Sequence, residues 1–263
     1  MKDLKILIAG LGVACSLFVS CNKMDREKIA PESIDLSNKA TVQLYHATVG
    51  VARNYVSVDG KQVTGATLAP GSVFPAASTG IGFSVDGGLR SILVRDTLST
   101  STQPALNFAE QFGAGKRYTI FMYDSLTTPK QKTVLDDIIV PTDRTARIRF
   151  AHFAYSPVAV PNIDVFSKRQ NANIFTNVAL TDVTPFVTIA SALPDTLIVR
   201  VAGSGTNIQN YTPPNGNIPA VFPDVQLIVT PTPFRSYTLV FRGGYRTTLT
   251  STASVRTLSL LSH

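Results

Sequence analysis

Hydrophobic and polar positions divide this chain into three unequal stretches. An uncharged run from Ile6 to Val19 follows the basic Lys2 and Lys5. Its 14 residues fall short of the roughly 20 that a bilayer-spanning helix needs, and they suit a cleaved export signal. Asn22 to Lys39 then mixes four basic with four acidic residues and carries almost no core-forming side chains. That predicts a disordered tether, with a short amphipathic helix as the alternative. From Ala40 onward the apolar period becomes two.

In the run Ala40 to His46, the side chains of Val42, Leu44 and His46 share one parity, and Thr41, Gln43 and Tyr45 share the other. In Ala146 to His152, Ile148, Phe150 and His152 stand against Arg147, Arg149 and Ala151. Such alternation predicts strands buried on one face, with the second set turned outward. Further short runs are Tyr55 to Val58, Phe83 to Val85, Leu89 to Arg95, Thr133 to Ile139, Ile163 to Ser167, Asp224 to Thr230 and Val255 to Leu261. Asp59-Gly60 and Asp86-Gly87 follow two of them as hairpin signals. Short strands, frequent turns and no sustained helical period predict an all-β chain built from β-sandwiches.

The pattern occurs twice. Ala40 to His46 aligns with Ala146 to His152 at an offset of 106, Ile92 to Arg95 with Leu197 to Arg200 at 105, and Tyr118 to Met122 with Tyr237 to Phe241 at 119. The jump of 14 between the last two places an insertion in the Gly- and Pro-rich stretch Gly203 to Pro223. Two tandem immunoglobulin-like sandwiches are therefore expected, at 40–143 and 144–263, after a signal at 1–20 and a tether at 21–39. Each exceeds 100 residues, enough for a core of its own. The short join at Pro141 to Arg144 predicts separable domains with restricted relative orientation. Tyr118 and Tyr237 open equivalent strands, as the tyrosine of a tyrosine corner does, so each hydroxyl should bond back to nearby backbone.

Leu17-Phe-Val-Ser-Cys21 closes the export signal and resembles a bacterial lipobox, with Phe18 looser than the usual leucine. Cys15 would leave with the signal, so Cys21 would be the one cysteine of the mature chain. The resemblance implies lipid attachment at Cys21 and acyl chains sufficient for firm anchoring. Asn22 is not the aspartate that retains some lipoproteins at an inner membrane, so a lipid-anchored place in the cell envelope, at the outer membrane, is expected. A second resemblance rests on Ala146-Arg-Ile-Arg-Phe-Ala-His152, Ser156-Pro157 and Asn162-Ile-Asp164-Val-Phe166. These are similar to the opening of domain of unknown function 4397, a β-sandwich of envelope and secreted proteins, often in tandem and without an established activity. Val56 is read as standing where the second copy has Asp164.

Composition narrows the partners. From Ala40 onward, 18 Lys or Arg face 12 Asp or Glu, an excess of 6. The basic residues are scattered without a run, which argues against nucleic acid. Ser and Thr number 46 over that span, so the polar surface is largely hydroxyl, a composition that fits sheets. His46 and His152 recur at strand ends but read as structural; His263 is expected to be mobile at the terminus. No zinc spacing exists among the three histidines. Gly113 to Arg117 lacks the first glycine and the Ser or Thr of a phosphate loop, so it reads as a turn. Asp136 and Asp137 should face opposite sides of a strand.

No catalytic residue, metal or cofactor is therefore expected. The leading reading is a non-enzymatic envelope module contacting a protein, glycan or matrix partner. An architectural spacer or accessory subunit is the alternative, and a hydrolase stands third. Loops carry most binding functions on such scaffolds. The candidate binding loop is the long one in the second copy, with Tyr211, Asn215, Asn217 and Phe222, and the Tyr155 to Pro161 loop follows it.

Overall fold

A computed structural model describes residues 36–50, 54–76, 82–98, 100–210, 223–246 and 255–263. The described residues fold as strands without a helix. The first half contains β1 (Lys39–His46), β2 (Asn54–Val58), β3 (Lys61–Gln62), β4 (Val73–Phe74), β5 (Phe83–Asp86), β6 (Gly88–Asp96), β7 (Leu106–Phe112), β8 (Arg117–Tyr123) and β9 (Lys130–Leu135). The second contains β10 (Ala146–Tyr155), β11 (Ile163–Ser167), β12 (Ala172–Val178), β13 (Val187–Ile189), β14 (Asp195–Val201), β15 (Gln226–Val229), β16 (Ser236–Gly244) and β17 (Thr257–Ser262).

Each half is a β-sandwich. In the first, an outer sheet β3-β2-β6-β7 faces an inner sheet β4-β1-β8-β9, with β5 also paired to β1. In the second, the outer sheet β12-β11-β14-β15 faces the inner sheet β13-β10-β16-β17. The first strand of each half runs parallel to the penultimate one: Val42 lies opposite Tyr118 and Ile148 opposite Tyr237. The inward parity read from the sequence fills both cores. Val42, Leu44, Val56, Ile92, Val94 and Ile120 pack in the first, and Ile148, Phe150, Val165, Val199, Leu239 and Phe241 in the second. The Tyr118 hydroxyl accepts the Gly113 N–H at 2.9 Å, and the Tyr237 hydroxyl accepts the Thr232 N–H at 3.0 Å. Both tyrosines thus fasten the turn five residues upstream.

Several expectations are corrected. Asp59 and Gly60 have φ of 48° and 77° and turn β2 into β3 as a hairpin should. Asp86-Gly87 does not, because β5 pairs with β1 and β6 with β2 and β7. There the chain crosses between sheets, with the Gly87 N–H bonded to the Asn38 carbonyl. The run expected from Thr133 to Ile139 is strand only as far as Leu135.

The largest correction concerns the outward parity of the inner sheets. Gln43 and Tyr45 are 0% and 1% exposed, and Arg149 and Ala151 are buried as well. The cause is a third core between the two inner sheets, made by Tyr45, Ala47 and Phe121 of the first half with Ala151, Phe153, Val240 and Leu261 of the second. Phe121 and Phe153 stack across it with ring centroids 4.7 Å apart. Burying each such aromatic or branched side chain contributes about 1.5–3 kcal/mol. Leu36–His263 accordingly forms one compact unit, with the sheets layered outer, inner, inner, outer. Gly71 belongs to this joint: its φ is +85°, and a Cβ there would lie 2.3 Å from the Arg242 guanidinium, which the second half supplies.

Candidate functional site

Cys21 and the candidate loop residues Tyr211, Asn215, Asn217 and Phe222 lie outside the described residues. The stem of that loop is described and tightly clamped. The Asn210 N–H reaches the Pro223 carbonyl, Asn207 donates to Asp224 at 2.7 Å, and Arg200 donates to Asn207 at 2.8 Å.

The two recurrent histidines sit in separate sandwiches at equivalent places. His46 is fully buried, with Nδ1 3.1 Å from the Thr48 hydroxyl and Nε2 3.0 Å from the Asn54 amide. Burial lowers its pKa to about 4; Arg242 pushes the same way. His152 is also fully buried, beside the Phe150 and Phe241 rings. The repeat offset puts Ala154 where Thr48 stands, and the sheet register puts Ile163 where Asn54 stands. Both polar partners are thus replaced by apolar residues. Burial again lowers the pKa to about 4, opposed by the Pro161 carbonyl.

Register also corrects the position of Asp164. It pairs with Arg200, as Tyr55 pairs with Arg95, so Tyr55 and not Val56 is its counterpart. Buried Asp164 accepts from the Asn173 amide and from the backbone N–H groups of Asn177 and Gly203. It ties two loops together.

His263 is not mobile: it is buried at the basal end of the seam, the end where β1 and β10 begin. Its Nε2 lies 2.6 Å from the Thr238 hydroxyl and its Nδ1 3.9 Å from Asp136. Burial holds its ring well below the usual histidine range, with Arg149 and Arg117 adding to the effect. Asp136 is the centre of this group. It pairs with the Arg149 guanidinium and accepts the Thr119 hydroxyl at 2.7 Å, while Arg149 donates to Thr238 at 2.7 Å. Burial raises the Asp136 carboxyl, against the pull of Arg149 and Thr119. A buried carboxylate needs such partners, so the cluster joins β8 and the β9 end of one half to β10, β16 and the terminal residue of the other. Asp136 and Asp137 lie beyond the end of β9 and so do not alternate across a strand as expected, but Asp136 is buried while Asp137 is exposed.

Among the described residues, cavities border the seam at both of its ends. At the distal end, a groove of about 120 Å³ is lined by Tyr123, Asp124 and Lys130 from the first half and by Phe153, Tyr155 and Ser156 from the second. Lys130 and Asp124 pair at 2.7 Å on its edge. The Tyr155 to Pro161 loop therefore begins at this groove. At the basal end, a cavity of about 330 Å³ includes Val134 and Asp137 from one half and Arg147, Arg149 and Phe186 from the other. Arg147 and Arg149 fall on the parity that strand alternation turns to solvent, so the sequence alone does not bring these basal residues together. The available signal was large or charged side chains on the parity assigned to solvent.

Among the described residues, no group of three or more His, Cys, Asp or Glu side chains is placed to hold a metal ion. No protein-family model matches the chain, and no curated protein matches it. Among solved structures it is similar to CBMbc, of family CBM26, from Eubacterium rectale Amy13K in complex with maltoheptaose. The identity is 11%, the match covers 86% of this chain and 97% of that one, and the TM-score is 0.24.

Proposed function

We propose that this chain is a non-enzymatic binding module of the cell envelope, built from two tandem sandwiches that resemble domain of unknown function 4397. It is anchored to the outer membrane through lipid on Cys21, and it holds its partner at the distal seam. The observation that carries the reading is the distal groove, whose lining comes from both halves. Binding sites occur preferentially where two domains meet. Tyr123 and Tyr155 offer rings, and Asp124, Lys130 and Ser156 offer hydrogen-bonding groups. Such a surface fits a partner with both hydroxyl and apolar faces, such as an envelope glycan or the side chains of another envelope protein.

The test is capture in intact cells from a photo-crosslinking phenylalanine analogue at Tyr155, with the same analogue at exposed Asn107 on the first outer sheet as the control. Capture from Tyr155 and not from Asn107 is expected, and the captured molecule identifies the partner class. Capture from neither position would favour the spacer reading instead. The anchor has its own test: Cys21→Ala should move the protein out of the detergent phase on phase partitioning. Partitioning like the wild type would overturn the lipid assignment.

A further inference from the structure

We propose that the basal seam cavity binds a carboxylate carried on an apolar body. At about 330 Å³ it falls at the lower end of the roughly 300–1,000 Å³ seen for small-molecule sites. Its charge is simple to follow. Arg149 is already committed to Asp136 and Thr238, and its guanidinium lies 4.7 Å from the centre of the Phe186 ring. Arg147 is two residues earlier on the same face of β10 and also lines the cavity. No salt bridge among the described residues engages it, and its Nε is buried with no hydrogen-bond partner there. Arg147 acts electrostatically on the exposed Asp143 carboxylate, which lies outside the cavity lining, and an anion inside the cavity would stabilise the partly buried guanidinium further. The planar fork of a guanidinium matches the two oxygens of a carboxylate.

The walls define the rest of the ligand. Val134, Val183 and Phe186 form an apolar lining. Leu135 and Ile139 extend this lining at the border of the cavity, where they are 51% and 53% exposed. Asp137 lies on the same lining and repels a second negative charge. One carboxylate next to an aryl or alkyl group satisfies all three features, whereas a polyanion does not. The ligand is either a free small acid or the C-terminus of a peptide that ends in an apolar residue. The site is separate from the distal groove, so it stands or falls independently of the partner captured there.

The experiment is saturation-transfer NMR with titration on the purified mature protein. The probes are 4-phenylbutyrate, its neutral amide, and N-acetyl-Ala-Ala-Phe with a free or an amidated C-terminus. Each free acid that binds should do so at least tenfold more tightly than its amide. Arg147→Met should weaken that binding at least tenfold, Arg147→Lys should weaken it less, and Asp137→Asn should tighten it. Asp137 is exposed, so its replacement reports on charge without disturbing the fold. Binding of phenylbutyrate identifies a small-acid site, and binding of the peptide alone identifies a C-terminus site. Equal binding of acids and amides, unchanged binding by Arg147→Met, or no binding of any probe would overturn the proposal.

Discussion

Lowering the pH from 7 to 4 should cost the folded chain about 3 kcal/mol for each of its two recurrent histidines. His46 and His152 have their pKa lowered from 6.5 to about 4 by burial. Below pH 6.5 the unfolded chain takes up protons that the folded chain refuses. Their stabilising contribution is therefore complete above about pH 6.5 and is lost as the pH falls towards 4. His263, also held low by burial, adds to the same trend. Urea unfolding between pH 7 and pH 4 measures the effect. Substitution separates the two sites at neutral pH. His46→Leu strands the Thr48 hydroxyl and Asn54 amide and should cost about 1–3 kcal/mol. His152→Leu loses only the contact with the Pro161 carbonyl, among otherwise apolar neighbours, and should cost less than His46→Leu while removing roughly half of the two-histidine acid effect. Equal costs at the two positions would contradict this account of their environments.

Arg149→Met should destabilise the chain by about 3–5 kcal/mol, because it leaves a buried carboxylate without its cation. The side chains of Arg149 and Asp136 are 3% and 0% exposed. For a folded unit of this size, the loss corresponds to a fall in Tm of roughly 10 °C. The double variant Arg149→Met with Asp136→Leu removes both charges, and most of the stability should return. Chemical denaturation of the wild type, both single variants and the double variant yields the coupling. A double variant as unstable as Arg149→Met alone would show that packing, not charge, sets the cost.

What the sequence revealed and what it hid follow from the range of the forces involved. Strands β1 and β10, the Asp59-Gly60 hairpin and the two tyrosine corners were legible because each depends on residues close in sequence. The seam was not legible as such, because alternation shows that a strand has two faces without naming what covers the second. The signal was nonetheless present. Phe121 and Val240 lie on the parity opposite to Ile120, Met122, Leu239 and Phe241, which makes β8 and β16 apolar on both faces. Strands of that kind are buried on both sides. Arg149 looked like a solvent-facing polar residue because its partner, Asp136, lies just beyond β9 in the other half. His263 looked like a free end because its contact with Thr238 depends on how β17 runs beside β16. The basal cavity shared this obscurity, since its lining comes from segments that meet only when the two inner sheets pack.

Because the two inner sheets pack into one compact unit, the two sandwiches should unfold together. Differential scanning calorimetry of the protein measures this. One transition is expected, with equal calorimetric and van't Hoff enthalpies, shifted as a whole by Arg149→Met. Two resolved transitions, with only one of them moved by that substitution, would contradict it.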